Sequence, residues 1–247
     1  MSQTDPLNTA ATAVDSDANA EAEVLHKRSI KSFVLRQGHL SPSQQRAIDT
    51  FMPLYGVAYQ DQFVSLDDTF GRSAPKILEI GFGMGTATAQ IASVQPERDF
   101  LGVEVHGPGV GNLLKLIDEA QLTNLKVMRH DAVEVVEQML APESLDGIHI
   151  FFPDPWHKKR HNKRRLIQLP FIQKLVPRLK IGGYIHLATD WAEYAEQMLA
   201  VLNEHPGLAN TAVDYAEKPA YRPLTKFEAR GLKLGHGVWD LVFKRVA

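Results

Sequence analysis

The chain has 247 residues, of which 44% are hydrophobic, and it contains no cysteine. A chain of this length can bury one substantial core, and α/β proteins of this size usually fold as a single domain. The lack of cysteine excludes disulfides and thiolate metal sites. No segment approaches the roughly 18 consecutive apolar residues of a membrane span, and the N-terminus lacks the basic-then-apolar order of a secretion signal. We therefore expect a cytoplasmic protein with no membrane partner.

Charge is distributed unevenly along the chain, although the net charge is only −2. Residues 1–25 contain five acids and no Lys or Arg, and their small polar side chains cannot bury enough surface to offset the entropy of ordering. We interpret this segment as a disordered acidic tail. Residues 26–74 are mixed and basic, and they predict an N-terminal arm with a short helix from Ser43 to Phe51. Residues 75–247 form the main domain.

From residue 75 onward, strand and helix patterns alternate regularly. The predicted strands are Lys76–Gly81, Asp99–Val105, Leu125–Arg129, Leu145–Phe152 and Tyr184–Ala188. The predicted helices are Thr86–Val94, Gly109–Ala120, Ala132–Leu140, Leu169–Leu179 and Ala192–Leu202, with a turn at Gly182 and Gly183 before the last strand. Two further strands, Asn210–Tyr215 and Val238–Arg245, follow the repeating part.

This succession predicts an α/β fold with a mostly parallel central sheet, because strands that are connected through helices run parallel and are covered on both faces. The last two strands are joined by a long loop and predict an antiparallel finish to the sheet. Open parallel sheets bind ligands outside the carboxyl ends of their strands. The polar residues that follow each strand are therefore the candidate site.

A glycine-rich loop follows the first strand, with Gly81, Gly83 and Gly85 after Glu79. Glycines let the backbone turn tightly and admit a ligand close to the main chain and the next helix N-terminus. A dinucleotide site would have the spacing G-x-G-x-x-G, whereas here the third glycine comes one residue early. On its own, the loop is also compatible with a plain strand-to-helix turn.

Two more acids follow the second and third strands. Glu104 is placed to accept hydrogen bonds from both hydroxyls of an adenosine ribose, and Asp131 can accept one from the exocyclic amine of adenine. Carboxylates around the glycines suit S-adenosylmethionine, which carries a sulfonium and an ammonium group, better than a pyrophosphate. The alternative is that each acid caps a helix, as Asp131 could before Ala132. The series as a whole favours a cofactor site.

The fourth strand ends in Phe-Phe-Pro-Asp-Pro-Trp, residues 151–156. The prolines on both sides of Asp154 restrict the backbone and fix the direction of the carboxylate. A rigid acid beside aromatic side chains is suited to holding a planar base. The alternative is that the prolines only end the strand and Trp156 covers the edge of the core.

A dense run of positive charge comes next, since six of the eight residues from Lys158 to Arg165 are Lys or Arg. Such a run can neutralise RNA phosphates, although many charge runs are only solvated surfaces. Its position next to Asp154 favours RNA binding. His157 and His161 have the spacing of metal ligands on a helix, but the neighbouring cations would repel a metal ion. We therefore predict no metal.

These motifs resemble those of bacterial tRNA (guanine-N(7)-)-methyltransferases, the TrmB family. The resemblance covers about residues 30–245 and rests on the segments Glu79–Gly85, Glu104–Gly111, Asp131–Val135, Phe151–Arg165 and Thr225–Glu228. It implies a class I S-adenosylmethionine-dependent methyltransferase fold, which is Rossmann-like, in residues 75–247. It also implies S-adenosylmethionine as cofactor and tRNA as substrate, with the guanine at position 46 in the variable loop as target.

Carried over motif by motif, the resemblance gives the matching residues expected roles. The expected cofactor-binding residues, including three from the glycine loop, are Glu79, Gly81, Gly83, Gly85, Glu104, Asp131 and Asp154, and Asp154 is also the expected catalytic residue. The expected substrate-binding residues are Lys158, Asp190, Thr225, Lys226, Phe227 and Glu228. The expected RNA-binding residues are Arg160, His161, Asn162, Lys163, Arg164 and Arg165.

Guanine N(7) already has an in-plane lone pair, so transfer requires alignment with the methyl carbon and the sulfur rather than a base. A carboxylate at Asp154 could orient the guanine and stabilise the charge that methylation creates. Three other hypotheses are an RNA-binding protein with a vestigial cofactor loop, an NAD-dependent dehydrogenase and a small-molecule methyltransferase. The spacing of Gly85 opposes the second, and the third leaves the basic run without a use. We also expect a monomer.

Overall fold

The computed structural model of the chain describes residues 32–33, 39–225, 228–229 and 237–247. All of them belong to one compact unit, Lys31–Ala247. The predicted tail 1–25, residues 26–31 and 34–38 of the arm, and Lys226 and Phe227 lie outside the described residues, and the predicted boundaries after residues 25 and 74 stay predictions. Within the described ranges, no helix combines the length and the apolar character that crossing a bilayer requires.

The order of elements follows the predicted alternation. The described helices are α1 (Pro42–Tyr55), α2 (Leu66–Phe70), α3 (Thr86–Val94), α4 (Gly107–Glu119), α5 (Ala132–Glu134), α6 (Leu169–Leu175) and α7 (Ala192–Glu204). The described strands are β1 (Lys76–Ile80), β2 (Asp99–Val103), β3 (Leu125–Met128), β4 (Leu145–Phe151), β5 (Leu179–Thr189), β6 (Leu208–Asn210) and β7 (Trp239–Arg245). A π-helical turn spans Val135–Met139, and 3-10 turns span Lys159–Arg164 and Val176–Arg178.

The strands form one sheet in the order β3-β2-β1-β4-β5-β7-β6. Neighbouring strands from β3 to β5 are parallel, whereas β7 is antiparallel to both β5 and β6. From β1 the chain adds β2 and β3 on one side, and then β4 and β5 on the other side. Ligands of open α/β sheets bind at the carboxyl ends of the strands beside such a switch in strand order. The predicted mostly parallel sheet with an antiparallel finish is confirmed.

Helices cover both faces of the sheet, which agrees with the burial of every residue in β1 and β2. One apolar layer packs the π-helical turn, α6 and α7 against the sheet and includes Phe171 and Tyr194. The opposite layer contains Ile91 of α3 and Leu113 of α4, and α1 contributes to it from outside through Phe51. Both layers leave the carboxyl ends of the parallel strands accessible to loops.

The helix of the N-terminal arm is longer than predicted, because it extends over Pro42–Tyr55. Ser41 begins it with a capping box: its hydroxyl accepts a hydrogen bond from the Gln44 N–H, and the Gln44 side chain accepts one from the Ser41 N–H. The helix packs so closely on α4 that a Cβ at Gly111 would lie 2.7 Å from the Gln44 carbonyl oxygen. The described part of the arm is therefore packed onto the helical layer.

Two predicted helices are shorter than their sequence patterns indicate. The predicted helix 132–140 leaves α-helical geometry at Val135, where the π-helical turn begins. The predicted helix 169–179 ends at Leu175, and Pro177 in the following turn cannot donate a helical hydrogen bond. The short helix α2 has no counterpart among the predicted elements, because five residues are too few to display a helical period.

The strands β5 and β6 also differ from the predictions. Gly182 and Gly183 lie inside β5, where the register with β4 shifts, and Gly182 adopts a φ of +82° that favours glycine. The predicted strand Asn210–Tyr215 is wrong in its extent, since β6 ends at Asn210. The side-chain amide of Asn210 donates to the carbonyl oxygen of Asp214, which bends the chain into a turn.

Candidate active site

A cleft of about 300 Å³ lies at the carboxyl ends of β1, β2, β3 and β4. It is lined by Ser32, Phe33, Ile80, Gly81, Gly83, Val103, Glu104, Val105, His130, Asp131, Ala132, Val133, Phe152, Pro153, Asp154 and Leu166. Five of the predicted cofactor-binding residues are among them, namely Gly81, Gly83, Glu104, Asp131 and Asp154. They are distant in sequence, and the parallel topology brings them together.

The glycine loop provides space in this cleft. Gly81 and Gly83 have φ values of +75° and +58°, and a Cβ at either position would meet no atom within 4 Å. A Cβ at Gly109, in the first turn of α4, would lie 1.9 Å from the carbonyl oxygen of Gly83, so that helix presses directly against the loop. Gly85 instead begins α3 against Leu113 and does not line the cleft.

Backbone N–H groups hold the carboxylate of Glu104 in place. One oxygen accepts from the N–H groups of Val105 (2.7 Å) and His106 (2.9 Å), and the other accepts from Gly83 (2.9 Å). This arrangement ties the loop after β2 to the glycine loop and fixes the direction of the carboxylate, whose Oε2 keeps a lone pair for a further donor. Asp131 caps α5 by accepting from the Val133 N–H at 3.0 Å. It therefore serves as a helix cap and also lines the cleft.

Glu79 lies behind the glycine loop rather than on the cleft wall. The residue is only 3% exposed; its Oε1 accepts from the Thr88 hydroxyl at 3.0 Å, and Oε2 has no hydrogen-bond partner among the described residues. Burial raises the pKa of Glu79 to about 7, and the hydrogen bond from Thr88 opposes this rise only in part. A buried carboxyl group that titrates near neutrality beside a cleft is suited to a cationic partner.

We expect Glu79→Gln to remove a pH-dependent loss of stability from the ligand-free protein. Because the pKa in the folded state lies above the ordinary glutamate value of 4.5, the folded state binds more protons, and stability falls as the pH rises from about 4.5 to about 7. The full shift corresponds to roughly 3 kcal/mol, present below the unfolded pKa and absent at alkaline pH. Thermal unfolding of both proteins at pH values from about 4.5 to about 8 measures the difference, and parallel pH profiles would contradict it.

The segment that carries Asp154 is held at both ends. Phe152 and Trp156 have φ values of +52° and +48°, which are uncommon outside glycine and persist only where the surroundings impose them. The Nε group of Arg165 donates to the carbonyl oxygen of Pro155 at 2.8 Å. Asp154 is exposed between these anchors and lines the cleft. The rigidity expected from the prolines therefore rests on tertiary contacts as well.

The basic run after this segment has an exposed part and an inward part. Lys158, Lys159, Arg160 and Lys163 are exposed, as contacts with phosphates require. Lys158 precedes the 3-10 turn and the other three belong to it, so their cationic groups project from one short and compact piece of backbone. These four side chains form what we call the basic surface. It adjoins the Asp154 segment directly in sequence.

Three expected RNA-binding residues of the run make contacts within the protein. The guanidinium of Arg164 lies 4.0 Å from the centre of the Trp156 ring, and His161 stacks on the same ring. Partial burial and the neighbouring cations lower the pKa of His161, so its ring is neutral at pH 7. The side-chain amide of Asn162 donates to Glu193 at 3.0 Å. These contacts hold the backbone of the basic run against Trp156 and Glu193.

Arg165 is the one buried residue of the run from Lys158 to Arg165. It is only 2% exposed, and besides Pro155 its guanidinium donates to Gln197 (2.6 Å) and Glu193 (3.2 Å). These donors are therefore used inside the protein. Arg165 holds the Asp154 segment against α7, and a direct RNA contact at this residue stays a prediction.

Three of the expected substrate-binding residues, Asp190, Thr225 and Glu228, lie in connecting segments of the described part of the chain. Asp190 directly follows β5, which pairs with β4, the strand that leads into the Asp154 segment. Thr225 and Glu228 share one turn, in which the Glu228 N–H donates to the Thr225 hydroxyl at 3.1 Å. Glu228 is only 3% exposed, and its carboxylate is bound by Arg222 at 2.8 and 3.1 Å. Its described contacts are therefore internal.

Eleven of the sixteen lining residues are not among the predicted site residues, and the polar or aromatic residues Ser32, Phe33 and His130 are three of them. His130 stacks on Tyr59 with ring centres 3.8 Å apart, and its Nε2 lies 2.7 Å from a carboxylate oxygen of Glu134. Because His130 directly precedes Asp131 at a strand end, the strand-end rule could have included it. Ser32 and Phe33 carry no motif, so only the tertiary structure brings them to the cleft.

Comparison with known proteins agrees with this geometry. A family model described as "Putative methyltransferase" matches residues 73–241. The tRNA (guanine-N(7)-)-methyltransferase of Neisseria meningitidis serogroup B is 72% identical over 221 residues, which cover 90% of this chain and 93% of that protein. The protein of the same name from Chromobacterium violaceum is 68% identical, covering 89% of this chain and 97% of its own length. The chain belongs to the tRNA (guanine-N(7)-)-methyltransferase family. The resemblance predicted from the motifs is confirmed, and the dehydrogenase hypothesis is set aside.

Solved structures of more distant methyltransferases share the fold. The 16S rRNA methyltransferase KamB superposes with a TM-score of 0.57 at 13% identity, covering 76% of this chain and 96% of KamB. The aminoglycoside resistance methyltransferase NpmB1 gives 0.50 at 14% identity, covering 75% of this chain and 95% of NpmB1. At these identities the likeness concerns the fold alone. The predicted class I methyltransferase fold is confirmed.

Proposed function

We propose that this enzyme methylates the guanine at position 46, in the variable loop of tRNA, and that Asp154 lies at the reacting centre. The chain is a tRNA (guanine-N(7)-)-methyltransferase and its methyl donor is S-adenosylmethionine. The observation that carries the proposal is the position of the Asp154 segment, which lines the cleft and continues directly into the basic surface. A base held there would lie between the cofactor and the groups that bind phosphates.

The residues of the cleft fit S-adenosylmethionine. The open space at Gly81 and Gly83 admits a ligand close to the main chain, and the fixed carboxylate of Glu104 suits the two ribose hydroxyls. Asp131 suits the adenine amine between apolar walls. Glu79 has an unpartnered buried oxygen behind the loop and would supply negative charge for the cationic end. When bound, the cofactor supplies a methyl group on a positively charged sulfur.

The transfer chemistry defines what Asp154 has to do. The lone pair of guanine N(7) forms the new N–C bond while the C–S bond breaks, so no proton leaves and no base is required. Positive charge moves from sulfur to the purine. The Asp154 carboxylate would accept hydrogen bonds from the N–H groups on the Watson–Crick edge of guanine and stabilise that charge. The reaction also requires that guanine N(7) is held in line with the methyl carbon and the sulfur.

Replacing Lys159, Arg160 and Lys163 together by Ala should weaken tRNA binding and its dependence on salt. Each phosphate contact releases counterions, so losing three contacts should reduce the slope of log affinity against log salt concentration by roughly 2. The KM for tRNA should rise, while kcat at saturating tRNA should stay near the wild-type value. Filter binding over a salt series and steady-state kinetics measure both effects.

Three exposed lysines elsewhere on the surface provide the charge-matched control. Lys174, Lys180 and Lys244 are exposed and lie outside the basic run. Their joint replacement by Ala changes the net charge equally, so it should leave the salt slope close to wild type if the effect is local. An equal loss in both triple variants would mean that total charge, and not the basic surface, binds tRNA.

The activity and the target position are tested in one experiment. Purified protein is incubated with unmodified tRNA and labelled S-adenosylmethionine, and the product is mapped by chemical cleavage at 7-methylguanosine. We expect one cleavage site at position 46, and no label in a tRNA in which that guanine is replaced by adenine. Label at another nucleotide would overturn the proposed target, and label at another atom would overturn the assigned reaction.

Two further parts of the proposal concern the state of the protein in the cell. We propose that it acts in the cytoplasm, where its substrate tRNA is processed, and that it acts as a monomer. Light scattering of the purified protein, alone and with tRNA, tests the second statement. A stable dimer would overturn it.

A further inference from the structure

Arg222 is buried between two carboxylates near the candidate site. It is only 1% exposed, although it belongs to a loop rather than to a strand or helix. Its Nε and Nη2 groups donate to the two oxygens of Asp240 at 2.6 and 2.7 Å, and its Nη1 and Nη2 groups donate to those of Glu228 at 2.8 and 3.1 Å. Four of the five N–H donors of a guanidinium are thus used in two bidentate pairs.

The two carboxylates belong to different parts of the protein. Asp240 lies in β7, and its Oδ1 is also 2.7 Å from Nε2 of the fully buried His186 in β5. Glu228 lies in the turn with Thr225, and two hydrogen bonds join these residues. The Glu228 carboxylate accepts from the Thr225 N–H at 3.3 Å, and the Glu228 N–H donates to the Thr225 hydroxyl. Arg222 is therefore the link between the rigid sheet and the turn that carries Thr225.

The same guanidinium also contacts the other side of the site. Its central carbon lies 5.6 Å from the centre of the Phe152 ring, within the range of a cation–π contact. Phe152 lines the cleft in a left-handed conformation and precedes Asp154 by two residues. Arg222 thus contacts both Phe152, which leads to Asp154, and the turn that carries Thr225, two elements that are far apart in the sequence.

We propose that Arg222 is a positioning residue for methyl transfer, which fixes the Thr225 turn relative to the Asp154 segment. The inference rests on the proposed function, because it assumes that guanine is held between these two elements. A displacement of about 1 Å at a reacting centre can lower the rate by about 10²-fold, since alignment of the lone pair with the methyl group is the main requirement. Arg222 acts through its neighbours and does not itself touch the reacting atoms.

The informative substitution is Arg222→Lys. Complete removal of the cation would leave two buried carboxylates uncompensated and could prevent folding. Lysine keeps the positive charge between them, but its ammonium group cannot form two planar bidentate pairs. We expect a folded protein that binds S-adenosylmethionine like the wild type, with kcat for tRNA methylation lowered by about 10- to 100-fold and a smaller change in KM.

Arg245→Lys is the matched control. Arg245 lies at the far end of β7, its side chain is 14% exposed, and it is ion-paired with Glu143 at 3.3 Å. Its replacement should lower the melting temperature without a change in kcat measured well below that temperature. A purely structural role for Arg222 would give the same pattern. Wild-type kcat and KM in folded Arg222→Lys, or a kcat loss matched by an equal loss of cofactor affinity, would overturn the proposal.

A second variant covers the case in which Arg222→Lys does not fold. Glu228→Gln leaves the pair of Arg222 with Asp240 intact and weakens only the tie to the Thr225 turn. We expect a similar fall in kcat, and the double variant should lose little beyond either single variant where all three fold, because both remove one link. Unchanged kcat in folded Glu228→Gln would overturn the proposal. Wild-type protein assayed in parallel distinguishes failure of the proposed function from failure of the role of Arg222. If the wild type does not methylate tRNA, the proposed function fails and this inference fails with it.

Discussion

Asp154→Ala should reduce methyl transfer to tRNA by about 10²- to 10³-fold in kcat, the range for loss of a fixed electrostatic group at a reacting centre. Two contributions disappear together: the acceptor that orients guanine and the negative charge that offsets the new charge on the purine. Asp154 is exposed, so the substitution leaves no buried group without a partner. The melting temperature should therefore stay near that of the wild type, and single-turnover assays with labelled tRNA measure the loss.

Asp154→Asn separates the two contributions. Asparagine keeps the size and one acceptor oxygen but has no charge, so it should retain much of the activity if orientation dominates. If charge stabilisation dominates, the Asn variant should be as slow as the Ala variant. Asp214→Ala, at another exposed acid, is the control and should leave kcat unchanged. Near-normal turnover of folded Asp154→Ala would remove Asp154 from the reacting centre.

The fold could be predicted from sequence because its signals are local. Each strand–helix unit carries its own apolar period, and α3 has the same bounds as predicted, Thr86–Val94. The errors occur where a tertiary contact decides the local structure. Asn210 ends β6 through a side-chain turn, and Gly182 allows β5 to continue through an irregularity that resembles a turn in the sequence. Local patterns do not distinguish these cases.

The cleft could be predicted in outline because parallel topology collects strand ends. The strand-end rule predicts Glu104 and Asp131 as site residues, and both line the cleft. Burial of individual charged residues could not be predicted in the same way. Arg165 and Arg222 look like surface bases in the sequence, and their partners lie 28 and 18 residues away at Glu193 and Asp240. A charged residue is buried when distant carboxylates and carbonyl groups satisfy it, and spacing does not encode that condition.

Glu104→Gln should lower the affinity for S-adenosylmethionine by about 100-fold, which corresponds to roughly 3 kcal/mol. The carboxylate of Glu104 is already fixed by three backbone N–H groups, so it would meet the ribose hydroxyls without reorganisation. Glutamine has one acceptor oxygen and no charge, so both the ribose contacts and the backbone contacts weaken. Calorimetry measures the affinity, and Glu97→Gln, at a side chain that is 65% exposed, is the control.

The product S-adenosylhomocysteine shows which part of the ligand Glu104 recognises. It has the same ribose as S-adenosylmethionine but lacks the positive charge on sulfur. If Glu104 binds the ribose hydroxyls, the substitution should weaken both ligands by the same factor, and kcat at saturating cofactor should change little because ground and transition states lose the contact equally. A loss confined to S-adenosylmethionine would instead assign Glu104 to the sulfonium charge, and the position of adenosine in the cleft would have to be revised.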